Sequence, residues 1–427
     1  MKMLLRAGRI IDPSEKLDIV GNILIEDGKI KGYPSDTKTI EKDKRVKIID
    51  ASGKIVSPGF IDLHVHMREP GFEHKETIRT VCEAGAAGGF TSLVCMPNTN
   101  PVNDNATVTE YILLKARKEG IVNVFPIGAI TKGEAGESLA HIGEMYEAGC
   151  VGISDDGFPV MNSRVMRHAM EYVMAFDIPV ISHAEDLNLS GGGVMNEGHV
   201  SNRLGLRGIP NASEEIMVAR DIILAGLTGA RLHIAHVSAA GSVQLIRDAK
   251  ARGIKVTAEA TPHHFMLTDE AIFDYDTNAK VNPPIRTKAD VDAIREGLRD
   301  CTIDVIATDH APHTEDEKKV EFDLAPFGIS GLETALSLSL KLVKEDVLSL
   351  PEVIKKLTIN PAQIVKIGRG TLKVGSIADV VIFHPETVFT VDRMKFRSKG
   401  KNSPFHGWRL SGRVEYTIVG GRIVYAS

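Results

Sequence analysis

Two histidines one residue apart, His64 and His66, close the apolar run 59–66. In an extended strand, residues i and i+2 face the same way, so both imidazoles can reach one cation. Alone, such a pair reads equally well as two packed side chains. It is not alone. The run 149–154 leads into Ser154-Asp155-Asp156-Gly157, the run 179–183 into His183-Ala184-Glu185, the run 231–237 holds His236, and the run 303–308 leads into Asp309-His310-Ala311-Pro312-His313. Imidazole and carboxylate without thiolate suit zinc or a similar divalent ion. Six candidates (His64, His66, Asp156, His183, His236 and Asp309) exceed what one tetrahedral catalytic ion needs. A bridged pair of ions about 3.5–4 Å apart would use them all. One or two Zn2+ per chain are therefore expected, with two favoured.

The elements that must carry these groups follow a regular rhythm. Eight β-branched runs, at 59–66, 91–96, 122–127, 149–154, 179–183, 231–237, 255–259 and 303–308, alternate with helical stretches such as 76–85, 163–176, 214–225 and 242–252. Such alternation signals a parallel α/β fold, and eight strands in this length predict a (β/α)8 barrel over 58–369. Barrel active sites form at strand C-termini, where five of these strands place His or Asp. No G-x-G-x-x-G or G-x-x-x-x-G-K-[ST] occurs, which excludes dinucleotide and P-loop sites. The two ends differ in texture: both are β-rich, with hairpin signals at Asp27-Gly28 and Gly420-Gly421,. Neither could build a core alone. Segments 1–57 and 370–427 are therefore expected to form one small β domain with the barrel inserted between them.

The 427 residues carry 51 basic and 56 acidic side chains, a net charge of −5. Phosphate neutralisation would call for a basic balance, so no nucleic-acid partner is expected. No apolar run approaches the roughly 20 residues of a membrane span, and the apolar stretch at the start is too short for a secretory signal. Cys82, Cys95, Cys150 and Cys301 are scattered, which predicts neither disulfides nor a thiolate site and fits the reducing cytoplasm,.

Several longer strings carry a resemblance. P-G-F-I-D-L-H-V-H-M-R-E-P-G (58–71), C-M-P-N-T-N-P (95–101), S-D-D-G (154–157), N-P-P-I-R (282–286) and A-T-D-H-A-P-H (307–313) resemble the amidohydrolase superfamily, and dihydroorotases in particular. A-P-F-G-I-S-G-L-E-T (325–334) resembles the class I dihydroorotases, and G-T-L-K-V-G-S-I-A-D-V-V (370–381) the superfamily's return into its small β domain. The resemblance implies reversible cyclisation of N-carbamoyl-L-aspartate to L-dihydroorotate, a step of pyrimidine synthesis. It implies that His64 and His66 hold one zinc, His183 and His236 the other, and Asp156 bridges them. Either Asp155 or Asp156 could fill that place, but adjacent strand residues face oppositely, so only one should. Asp309 is implied as the general base and acid. Arg68, Asn98, Asn282, His313 and backbone groups at Phe327 and Gly328, with His66, are implied to hold the substrate. Hydantoinases and allantoinases normally place a carbamylated Lys at the fourth strand; 152–156 contains no Lys, which weighs against them. A catalytically dead scaffolding subunit for aspartate transcarbamoylase is disfavoured because all six metal candidates are present. Association of an active chain with that transcarbamoylase, or with copies of itself, is compatible with the resemblance.

The remaining histidines receive plainer roles. His263 and His264 are expected to be structural or to support the ligands, His233 to face the helical layer by strand parity, and His310 to point away from the metal. Glu185 and Asp186 are read as solvated loop acids or as partners of a ligand histidine. His74, His141, His168, His199, His384 and His406 are expected at the surface or in packing, Cys95 as buried filler, and Trp408 as an anchor. The charged segment 314–327 is expected either to close over substrate or to be an ordinary solvated loop.

Overall fold

A computed structural model describes residues 2–427. The chain ends build a single sheet ordered Arg422–Ala426, Arg409–Val419, Val380–Thr390, Ile55–Pro58, Lys2–Asp12, Leu17–Glu26 and Lys29–Gly32, with Val46–Asp50 also paired to Lys2–Asp12. The seam between the two ends is the antiparallel pairing of Val380–Thr390 with Ile55–Pro58, in the register Val380 to Pro58 and Phe383 to Ile55. Its inner face is aliphatic: Met3, Leu5, Ile10, Ile23, Ile25, Val56, Val380, Ile382 and Ile418 form one buried cluster. Both hairpin signals are hairpins. Asp27 and Gly28 (φ 50° and 78°) and Gly420 and Gly421 (φ 53° and 74°) pair positive φ values, as a two-residue turn matching strand twist requires,.

The middle of the chain is α/β, and its paired strands are all parallel, with one two-stranded pair standing apart from the two ladders. Phe60–Val65, Phe90–Cys95 and Asn123–Pro126 form one ladder; Gly128–Ala129, Ile153–Ser154, Val180–Ser182, Leu232–Ile234, Val256–Ala260 and Val305–Ile306 form another, each in chain order. The first ladder meets the second at Ile127, whose N–H donates to the Cys95 carbonyl while the next residue, Gly128, donates to Gly152. At the far side Val65 bridges His310 in parallel, and His66 N–H donates to the His310 carbonyl. A strand stands within each of the eight expected runs, although several are only two or three residues long.

Helices cover the outside because their sequences bury one face. In Ser163–Val173, the residues Val165, Met166, Ala169, Met170 and Val173 recur at helical spacing and are buried, and Asn162 caps the helix by accepting from Arg164 N–H,. Ile78–Ala87 starts at Thr77, which forms a reciprocal capping box with Thr80,. The strands stop early for a local reason. Beyond them His236, Asp309 and Arg68 adopt positive φ (31°, 47° and 61°), which interrupts the regular strand even where single pairings resume, at Val237 and His310. Such backbone costs on the order of 1–3 kcal/mol per residue and gathers where surrounding contacts enforce it.

Candidate active site and metal centre

Histidines from three strand ends converge on one carboxylate. Asp156 lies 3.3 Å from His64 Nε2, 3.4 Å from His66 Nε2, 3.5 Å from His183 Nδ1 and 3.4 Å from His236 Nε2. Two three-residue groups, each compact enough for one ion, share it: His64, His66 and Asp156, and Asp156, His183 and His236. Asp309 Oδ1 stands 3.0 Å from His66 Nε2 and 3.6 Å from His64 Nε2. Asp155 faces the other way, accepting from Ile130 N–H, Thr131 N–H and the Thr131 hydroxyl. The geometry therefore separates the two adjacent acids as the pleat demands.

The donor set fits a metal. His64 Nε2 and Asp156 Oδ1 are buried beside each other yet form no hydrogen bond with any described residue, an expensive arrangement for polar atoms unless a cation completes them,. The far ring nitrogens of three ligand candidates are held. His64 Nδ1 meets Glu259 (2.7 Å), His66 Nδ1 meets Asn98 Oδ1 (2.9 Å), and His183 Nε2 meets Glu185 (3.1 Å). Such partners fix the tautomer and aim the lone pair at the ion. Glu259 also meets His233 Nε2 (3.1 Å), so His233 lies under the metal centre and not in the helical layer. Parity failed there because the strand ends at Ile234 and His236 turns through a positive φ. Glu185 is the partner of His183, a ligand candidate, and a further hydrogen bond comes from Asn282 Nδ2 (2.8 Å). His310 points away as expected, towards Glu76 and Ser398.

Electrostatics follow the same geometry. Burial opposes charge on Asp309, but the neighbouring His64 and His66 outweigh it and hold the carboxyl down at about 2. Burial likewise opposes protonation of His183, yet Asp156 and Glu185 lift it to about 10. A metal ion at the shared carboxylate would displace those protons, since ligand imidazoles bind in neutral form.

The ligands open onto a cavity of about 160 Å³ whose lining includes His66, Arg68, Asn98, Asn282, Asp309, Phe327 and Gly328. Arg68 has no ion-pair partner among the described residues; its Nε donates to the Pro312 carbonyl (3.3 Å) and its guanidinium abuts His313 (3.4 Å). Burial pulls Arg68 down to about 10, which still leaves it charged at neutral pH. An unpaired guanidinium lining this cavity has the chemistry to receive an anion,. His313 lies just behind the lining. Burial and the adjacent Arg68 keep it neutral, with Nε2–H donating to the Phe327 carbonyl (2.8 Å). Asn98 is engaged on His66 and on the Asp156 carbonyl. Gly328 donates its N–H to the Lys280 carbonyl, and its own carbonyl accepts from Asn402 Nδ2 (2.9 Å). Glu259 escaped the sequence reading, although a charged side chain within the buried run Val256–Ala260 was the available signal.

The segment after His313 is packed down. Lys318 Nζ donates to the Thr277 (3.0 Å) and Pro326 (2.7 Å) carbonyls, and Lys280 Nζ to Phe322 (2.8 Å) and Asp323 (2.9 Å). Burial, then the nearby Lys280, lowers Lys318 from 10.5 to about 7. A released Lys318 binds a proton between those values and the buried one does not, so raising the pH through that window disfavours release. Hydrogen exchange at 318–326, corrected for its intrinsic pH dependence, should slow between pH 7 and 9 by up to about tenfold per pH unit. Lys318→Met should flatten that dependence; an unchanged slope would refute the assignment.

With this geometry in hand, relatives of the chain become informative. A model of the dihydro-orotase-like family matches residues 53–242, and one of the amidohydrolase family residues 225–425. The chain is 57% identical over 425 residues to a dihydroorotase of Geobacter metallireducens, with all of both chains covered. It is 54% identical to that of Syntrophus aciditrophicus (100% and 99% covered) and 56% to that of Pelotomaculum thermopropionicum (99% and 98%). Among solved structures, the L-hydantoinase of Arthrobacter aurescens superposes with a TM-score of 0.89 at 25% identity, covering 99% of this chain and 96% of that one. The dihydropyrimidinase of Brevibacillus agri, at 22% identity and a TM-score of 0.86, covers 100% and 95% and shares the fold. Identity above one half along the whole chain, joined to the family-model matches, leaves one conclusion: this chain belongs to the dihydroorotase family of cyclic amidohydrolases.

Proposed function

We propose that this chain is a zinc-dependent dihydroorotase that interconverts N-carbamoyl-L-aspartate and L-dihydroorotate in pyrimidine biosynthesis. The observation that carries the reading is one cavity bringing two His-Asp groups sharing Asp156 together with the unpaired cation Arg68. A cyclic amide bearing a carboxylate presents the complementary features. His64 and His66 would hold one zinc, His183 and His236 the other, with Asp156 common to both; one ion or two remain compatible with imidazole and carboxylate donors, and two use every donor. Bound there, the metal would polarise the ring amide carbonyl and acidify a water.

The chain's own groups supply the rest. Arg68 draws the α-carboxylate into the cavity, and Asn98, Asn282, His313 and the Phe327–Gly328 backbone set the ring against it. Asp309 accepts a proton from the attacking water and returns it to the departing ring nitrogen as the C–N bond breaks. In the reverse direction it takes the proton from the carbamoyl nitrogen as that nitrogen attacks the carboxylate carbon and passes it to the departing oxygen, which takes one further proton from solvent and leaves as water.

We place these groups on a (β/α)8 barrel spanning 58–369, closed where Val65 meets His310, with segments 1–57 and 370–427 forming the small β domain. Four unpaired thiols fit a cytoplasmic enzyme,. No helix among the described residues is long and apolar enough to cross a membrane. Self-association and docking on aspartate transcarbamoylase belong to the same proposal.

The test is turnover of dihydroorotate by metal-analysed protein, with hydantoin and allantoin as rival substrates. Turnover of dihydroorotate alone is expected. Preference for hydantoin or allantoin would reassign the substrate.

A further inference from the structure

The strand end carrying Asp309 and His313 and the segment carrying Phe327 and Gly328 lie side by side along the cavity. Their backbones touch through little: an isolated bridge between His310 and Ile329, and one bond from Ala311 N–H to the Ile329 carbonyl (3.0 Å). A third segment, from the far end of the chain, completes the join. Asn402 Nδ2 donates to the Ala311 carbonyl (3.0 Å) and to the Gly328 carbonyl (2.9 Å). Its Oδ1 accepts from His313 N–H (3.0 Å) and from the Ser330 hydroxyl (2.9 Å), and its own carbonyl accepts Ser330 N–H (2.8 Å). Both donors and both lone pairs of this amide are used, and the residue is 2% exposed,. The approach is close throughout: a Cβ on Gly400 would lie 2.4 Å from Pro312 Cβ, and one on Gly328 would lie 2.6 Å from the Ala311 carbonyl oxygen.

We propose that Asn402 is a positioning residue for substrate, fixing the Gly328 carbonyl edge and His313 relative to Arg68 so that the ring-amide and carboxylate subsites keep their spacing. This rests on the dihydroorotase reading above. Asn402 touches neither the cavity nor the metal ligands, so its effect must pass through the groups it holds. No other side chain of similar size could replace it: Asp lacks the two donors, Leu lacks all four valences, and Gln would drive its amide one methylene further into a tightly packed seam.

The experiment compares steady-state kinetics of the parent chain with Asn402→Asp and Asn402→Ser, alongside metal content and thermal midpoint. Leu298→Ala, a fully buried site on the helix Lys288–Arg299, serves as a destabilised control. Leaving one or two buried carbonyls unmet loosens the subsites, so KM for dihydroorotate should rise at least about tenfold while kcat stays within about threefold and metal content matches the parent. Leu298→Ala should lower the thermal midpoint without moving KM. A KM unchanged in the Asn402 variants, a loss confined to kcat, an equal KM shift in the control, or failure of both Asn402 variants to fold would each overturn the proposal in favour of a purely structural role. No turnover of dihydroorotate by the parent would instead overturn the activity reading, and this inference with it.

Discussion

Asp309→Asn should lower kcat for dihydroorotate by about 10²–10⁴-fold, the range a positioned general acid–base group contributes, while leaving bound metal near the parent level. The substitution keeps shape and hydrogen-bonding length but removes the lone pair that accepts a proton. In the metal-free chain His64 and His66 hold the carboxyl at about 2 against its burial; with metal bound, the positive charge of the ion would take over that role. An amide there keeps the same shape, and His66 stays anchored through its other nitrogen, Nδ1, on Asn98 Oδ1 (2.9 Å). The ligand cage about Asp156 should therefore survive. Inductively coupled plasma analysis and kinetics on the same sample separate the two roles. Metal retained with activity lost marks Asp309 as the proton carrier; metal lost in proportion to activity would make it chiefly a ligand. Retention of both would remove it from the chemistry.

The metal candidates were legible in the sequence because strand ends in a parallel α/β fold share one mouth, and alternation along a strand tells which side chains enter it. The reasoning holds where extended backbone carries on past the strand end: His64 and His66 both reach Asp156, and Asp155 and Asp156 diverge. It breaks where the backbone leaves the strand. His233 lies beneath the metal centre because the turn at His236 resets the alternation. Arg68 reaches the cavity through its own positive φ, three residues after the strand ends at Val65, where alternation no longer says which way a side chain points. Glu259 was visible as a charge within a buried run and nothing more, since its meaning depends on His64 coming from a strand nearly two hundred residues earlier. Asn402 left no local mark at all. Its four side-chain hydrogen bonds reach residues 72 to 91 positions away, and no periodicity records them.

Asp156 carries the second large effect, because it is the one residue both metal groups need. Asp156→Ala should leave well under one tightly held metal ion per chain and reduce kcat/KM by about 10³-fold or more, the several kcal/mol that a metal's polarisation of the reacting carbonyl supplies. Neither group keeps a carboxylate once Asp156 is gone: His64 and His66 retain only Asp309 nearby, and His183 and His236 would face each other at 2.9 Å with no shared anion. Glu185 cannot substitute, since it sits on the far nitrogen of His183. Stability supplies a readout free of catalysis. A ligand that binds only the folded chain adds about 4 kcal/mol at a thousandfold excess over its Kd. The parent's thermal midpoint should accordingly rise when zinc is returned to chelator-treated protein, and that of Asp156→Ala should stay flat. In the metal-free chain the same carboxylate is the counter-charge that lifts His183 to about 10. Its loss should drop that histidine's pKa, visible in the pH dependence of its ring resonances. A variant that still takes up two ions and keeps its zinc-dependent rise in midpoint would show that Asp156 is not the shared ligand.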